Sequence, residues 1–156
     1  MLEAPTSHSR RMEPNVEKVL TSYRTWAIVG CSPNPDRDSN QIAAVLQQEG
    51  YTVIPVNPRA EEILGEPCYP DLQAIPAAAG VEVVNMFRRS EDAGVHVDEA
   101  IEMGAKAVWL PRGVIDEPAA ERARAAGLDV VMDRSPRTEL KRMRAEQAEA
   151  GGPSDA

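Results

Sequence analysis

Two hydroxyls, a guanidinium and several small residues fall together in Gly30-Cys31-Ser32-Pro33-Asn34-Pro35-Asp36-Arg37-Asp38-Ser39, a combination suited to holding an anion. Small residues let the backbone approach a ligand. Ser32 and Ser39 offer O–H donors, and Arg37 offers a planar fork that matches phosphate. A helix expected to start near Asn40, with Asp38 just ahead of it, adds unpaired N–H groups and the positive end of its dipole. A hydrogen bond to a charged group contributes roughly 1.5–3 kcal/mol, so three or four such donors would hold a pyrophosphate. The same residues also fit a plain proline-rich turn in which Asp38 or Ser39 caps the helix.

Three later stretches carry similar chemistry. An NAD-binding chain places an acidic residue after its second strand for the ribose hydroxyls, but here the residues are Asn57-Pro58-Arg59. An arginine there favours a ligand with a ribose phosphate, NADP or coenzyme A. Phe87-Arg88-Arg89 supplies a ring on which an adenine could pack and further guanidiniums, and in Pro111-Arg112-Gly113-Val114 the glycine either lets a ligand approach the backbone or opens a helix-entry turn. Gly30 has no companion glycine before the helix, so the G-x-G-x-x-G loop of a dinucleotide site is absent.

Catalytic groups are few. Ser32 lacks the G-x-S-x-G elbow, and Pro33 behind it has no N–H for an oxyanion hole. His8 and His96 stand apart from any ligand set. Cys31, at a helix mouth, either forms a stabilised thiolate or packs as a small apolar side chain.

These loops must be positioned by an alternation of strands and helices. The spacing of Val16, Val19, Leu20 and Tyr23 predicts a first helix, and the apolar run 26–29 a strand buried on both faces. A helix bearing Ile42, Val45 and Leu46 ends at Gly50, and a second strand covers 51–56, with Pro55 expected to be leaving the sheet. The segment 57–76 reads as a loop with a short strand or turn around Cys68 and Tyr69. Strands at 81–87, 107–110 and 130–132 alternate with helices carrying Val97, Ala100 and Ile101, and covering about 116–126. Such alternation calls for crossovers and a parallel sheet. The expected fold is α/β, a Rossmann-like three-layer arrangement with a five-stranded, mostly parallel sheet. Residues 1–12 read as a flexible tail, 13–140 as the domain, and 141–156 as a frayed helix and disordered tail.

Composition narrows the partners. With 156 residues the prior is one domain with tails. The chain has one Phe, two Trp and three Tyr, so a core of Val, Ile, Leu and Ala is expected rather than aromatic anchors. A net charge of −8 and no run of Lys and Arg argue against nucleic acid. No apolar stretch suits a signal peptide or a membrane span. Two cysteines fit a reducing cytoplasm.

Taken in order, Ala27-Ile28-Val29-Gly30-Cys31-Ser32, Pro35-x-Arg37-x-Ser39, Val53-Ile54-Pro55-Val56-Asn57-Pro58, Ile63-Leu64-Gly65-Glu66, Phe87-Arg88-Arg89, Gly104-Ala105-Lys106-Ala107-Val108-Trp109-Leu110 and Val131-Met132-Asp133-Arg134 resemble the small bacterial CoA-binding domain proteins. These are stand-alone relatives of the nucleotide-binding domain of succinyl-CoA synthetase. The resemblance spans about 16–139 and departs from the family pattern at Pro111 and Ser135. It implies coenzyme A or an acyl-CoA across the carboxyl ends of the strands. Gly30, Cys31, Ser32, Arg37 and Ser39 would hold the pyrophosphate, Asn57, Pro58 and Arg59 the ribose phosphate region, and Phe87 and Arg88 the adenine side. Binding without catalysis is the leading expectation, in the cytoplasm and with oligomerisation open. The alternatives are an NADP-linked oxidoreductase and an interaction domain that has lost its ligand.

Overall fold

The computed structural model describes residues 14–151. In chain order the elements are α1 (Pro14–Ser22), β1 (Thr25–Val29), α2 (Asp38–Gln48), β2 (Thr52–Val56), a hairpin of β3 (Glu62–Ile63) and β4 (Glu66–Pro67), β5 (Val83–Met86), α3 (Ser90–Glu102), β6 (Ala107–Leu110), α4 (Glu117–Ala125), β7 (Asp129–Met132) and α5 (Pro136–Gly151). The main sheet has five strands in the order β2-β1-β5-β6-β7, and every pairing in it is parallel. Helices cover both faces, as the α/β reading expects.

Alternation along each strand sends its side chains to two cores. Trp26, Ile28, Val83, Trp109 and Val131 face α1, α2 and α5, meeting Leu20, Ile42, Leu46, Leu140 and Met143. Ala27, Val29, Val84, Met86, Val108 and Leu110 face α3 and α4, where Ala93, Val97, Ala119 and Ala123 meet them. The small alanine stripe of α4 lets it lie close to its neighbours.

Three sequence expectations meet a different structure. The core does have aromatic anchors: Trp26 and Trp109 head the fully buried side chains, with ring centroids 5.4 Å apart. Both indole N–H groups are satisfied, Trp26 donating to the Tyr23 carbonyl at 3.2 Å and Trp109 to the Arg134 carbonyl at 2.7 Å, which lets so large a polar ring be buried. Pro55 stays in the sheet, paired in register with Ile28. The Thr52 N–H donates to Arg24 and the Gly30 N–H to Val56, so in this edge strand the position of Pro55 faces outward, where a missing N–H breaks no ladder bond. The loop after β2 carries the short strand expected near Cys68 and Tyr69: β4 lies in the β3–β4 hairpin, whose two turn residues, Leu64 and Gly65, both have positive φ, and Tyr69 bridges to Val56. Finally, residue 140 falls inside α5, which continues to Gly151 and buries Met143. Residues 1–12, expected as a tail, lie outside the described residues, as do 152–156.

Candidate functional site

The chain passes from β1 to β2 on one side and later to β5 on the other, so the strand order reverses at β1. A crevice opens outside the carboxyl ends there in sheets of this kind. Gly30 makes the junction possible. Its φ is +79°, and a Cβ on it would stand 2.5 Å from the Phe87 carbonyl oxygen. Its N–H donates to Val56 at 2.9 Å while the Phe87 N–H donates to Val29 at 2.8 Å, which holds the ends of β2, β1 and β5 together.

The loop after β1 is ordered by its own polar groups. Ser39 Oγ accepts from the Ser32 N–H at 2.9 Å, Ser32 Oγ accepts from the Asn34 N–H at 3.0 Å, and the Asn40 amide donates to the Ser32 carbonyl at 2.9 Å. Each hydroxyl therefore accepts within the loop and keeps its own O–H to donate. Arg37 is the cap residue of α2, extended in conformation, and its side chain makes no capping bond. The first-turn amides of α2 are thus left to any anion placed before them. Arg37 itself is exposed.

Asn57 ties the next loop to this one: its amide donates to the Cys31 carbonyl at 2.8 Å and its oxygen accepts from the Arg59 N–H at 2.8 Å. Pro58 and Arg59 stand exposed on the rim. Cys31 is fully buried. Burial, with Cys68 beside it adding to the effect, pushes its thiol up to about 12. Of its two sequence readings the packed, neutral thiol is the one the structure shows.

A cavity of about 440 Å³ lies between α2, the loops after β5 and β6, and the start of α5. Asp38 and Ile42 of α2 form one wall, and Phe87, Arg88 and Arg89 another. Pro111, Arg112 and Val114 face them, with Ser135, Arg137 and Thr138 closing the far side. Of the residues singled out from sequence for ligand chemistry, Asp38, Phe87, Arg88 and Arg89 line it, with Pro111, Arg112 and Val114 of the β6 loop. Gly30, Cys31, Ser32, Arg37, Ser39, Asn57, Pro58 and Arg59 belong to the adjoining β1 and β2 loops. Gly113 sits in the β6 loop with its backbone engaged, its N–H donating to Asp133 at 2.7 Å and its carbonyl accepting from Ser90 at 3.2 Å.

The guanidiniums around the cavity differ in their partners. Arg89 pairs with Asp92 at 3.0 Å, and Arg137 with Asp38 at 3.4 Å and Gln41 at 3.2 Å. Among the described residues Arg112 donates only to the Thr138 hydroxyl, at 3.4 Å. Arg88 has no ion pair among the described residues. Arg137 and Thr138 were not foreseen as site residues. Their only signal is Ser135-Pro136 directly after β7, a helix start in which the Ser135 hydroxyl accepts from the Thr138 N–H at 3.3 Å. Below Phe87, on the same face of β5, Asn85 is fully buried and neither of its amide atoms has a partner among the described residues.

Comparison with known proteins places this arrangement. The uncharacterized protein YneT of Bacillus subtilis is 34% identical over 118 residues, covering 76% of this chain and 86% of that one. A hypothetical protein from Pyrococcus horikoshii, of solved structure, is 37% identical with a TM-score of 0.80, covering 86% of this chain and 93% of its own. The dinucleotide-forming acetyl-coenzyme A synthetase 1 of Ca. Korarchaeum cryptofilum is 25% identical with a TM-score of 0.66; the match covers 76% of this chain but only 28% of that enzyme. The model of the CoA binding domain family matches residues 24–141, a span that takes in every strand of the main sheet and every loop around the crevice, and the chain therefore belongs to that family.

Proposed function

We propose that the protein binds coenzyme A along the carboxyl edge of its sheet and does no chemistry of its own. The observation that carries this reading is the uncapped start of α2, set at the strand-order reversal within the span matched by the family. The donor set fits the ligand's two phosphate groups. The pyrophosphate lies against the first turn of α2 and the hydroxyls of Ser32 and Ser39, with Gly30 and Cys31 giving backbone approach and Arg37 and Asp38 at its edge. The ribose phosphate lies at Asn57, Pro58 and Arg59.

Strand order then orients the rest of the molecule. Arg59 follows β2 at one edge of the sheet, the α2 start follows β1, and Phe87, Arg88 and Gly113 follow β5 and β6. A ligand with its ribose phosphate at β2 and its pyrophosphate at β1 runs its pantetheine arm over β5. In this reading Phe87 and Arg88 sit beside the arm rather than the adenine. Cytoplasmic residence suits a ligand of this kind, and among the described residues no helix is long and apolar enough to cross a membrane.

Calorimetric titration of the purified chain with coenzyme A, NADP and ADP tests the reading. Binding of coenzyme A alone, or much more tightly than the other two, supports it. Preference for NADP, whose ribose phosphate Arg59 would suit equally, replaces it with the oxidoreductase reading. Silence to all three leaves an interaction domain.

A further inference from the structure

We infer that the cavity beyond the arm receives an acyl group carrying its own carboxylate, so that the preferred ligand is a carboxyacyl thioester of coenzyme A. This rests on the proposed binding of coenzyme A along the sheet edge. The phosphates of that ligand are accounted for at β1 and β2, and its pantetheine arm is uncharged. Yet the cavity where the arm would end is strongly cationic. Arg88, Arg89, Arg112 and Arg137 all line it, against the single carboxylate of Asp38, in a chain of net charge −8.

Two of these guanidiniums are already neutralised, Arg89 by Asp92 and Arg137 by Asp38. Arg88 and Arg112 are not: among the described residues neither has an acidic partner. Asp133 follows the neighbouring strand β7, where its Oδ1 accepts the Gly113 N–H at 2.7 Å, and it forms no ion pair with Arg112 among the described residues. The Thr138 hydroxyl lies beside Arg112 at 3.4 Å and adds a neutral donor. The remaining walls are apolar, formed by Ile42, Phe87, Pro111 and Val114. Methylenes suit such walls and a carboxylate suits the paired fork and hydroxyl at their end. A second phosphate site would have little use for the apolar walls, and a plain alkyl acyl group none for the arginines.

The test compares glutaryl-coenzyme A with valeryl-coenzyme A, which have acyl chains of equal carbon number and differ in the terminal carboxylate, and both with coenzyme A itself. Isothermal titration of the native chain is expected to show glutaryl-coenzyme A bound at least about tenfold more tightly than valeryl-coenzyme A, the ordinary yield of a charge-assisted hydrogen bond. In Arg112→Gln that ratio falls toward one while coenzyme A affinity stays within about twofold of native. Equal affinity for the two thioesters in the native chain overturns the inference and leaves coenzyme A binding intact. A loss of coenzyme A affinity in Arg112→Gln as large as the loss for glutaryl-coenzyme A also overturns it, because the cavity then holds a phosphate. Failure of all three ligands to bind the native chain removes the underlying coenzyme A reading as well, and so is told apart from either.

Discussion

Cys31 shows how a residue's type and its setting can point to different chemistry. It stands directly before the loop that leads into α2, where a thiolate would be stabilised, yet its side chain is buried in the core with Trp26, Ile42 and Val53. The folded protein holds this thiol's proton up to about 12, against an ordinary value of 9.0, so between those pH values the unfolded chain loses a proton that the native chain keeps. The stability this group contributes is therefore complete below pH 9 and is lost as pH rises toward 12, by roughly 4 kcal/mol across the window. Cys68, Tyr23 and Tyr51 are raised chiefly by burial too and add slope of the same sign. Urea denaturation of the native chain and of Cys31→Ala at pH 8 and pH 10.5 isolates the Cys31 part. The native chain is expected to lose about 2 kcal/mol more than the variant between the two conditions, and parallel losses would show that another group titrates. At this scale the sequence was legible wherever local chemistry decides. Gly30, the two serines and Asn57 stand in the loops where their types suggested. It was silent on Arg137 and Thr138, because only the docking of α5 against α2, through Arg137 to Gln41 and Asp38, brings them to the cavity.

Periodic apolar spacing revealed the elements that cover the sheet, and it failed where packing overrules composition. In α5 the run of Arg, Glu, Gln and Ala hides Leu140 and Met143, both buried. Leu64 opens the β3–β4 turn at positive φ, where asparagine or glycine is the usual signal. The start of α2 is the most consequential element end. Most helices place Ser, Thr, Asp or Asn at the cap, whereas Arg37 occupies it here and leaves its amides uncapped. Arg37→Ser is therefore expected to move stability and binding in opposite directions. The new hydroxyl accepts a first-turn N–H and stabilises the helix by about 1 kcal/mol. Coenzyme A affinity falls about tenfold or more, since a guanidinium is lost and an amide is diverted. Thermal melting and calorimetry on the same samples check both signs. An affinity equal to native would remove the α2 start from the binding site.

The whole molecule is acidic, at net charge −8, so an anionic ligand must be held by short-range donors against an unfavourable overall field. Fold class and strand number could be read from the alternation of apolar runs. The cavity could not, since its walls come from four segments far apart in sequence and exist only once α2 and α5 are docked beside the loops after β5 and β6. The consequence for stability is calculable. A ligand that binds only the native state contributes about 2.7 kcal/mol at a concentration one hundred times its dissociation constant. For a chain of 156 residues that corresponds to a rise of roughly 5–10 °C in melting temperature. Coenzyme A is expected to give such a rise. Dephospho-coenzyme A lacks only the ribose phosphate, and at the same concentration it should give a rise smaller by roughly 3–6 °C, as expected for about tenfold weaker binding. Arg59→Ala should erase most of that difference by lowering the coenzyme A shift to the dephospho level while leaving the dephospho shift in place. If the two ligands shift the native chain equally, the ribose phosphate does not meet Arg59, and the orientation of the ligand along the sheet edge is reversed or lost.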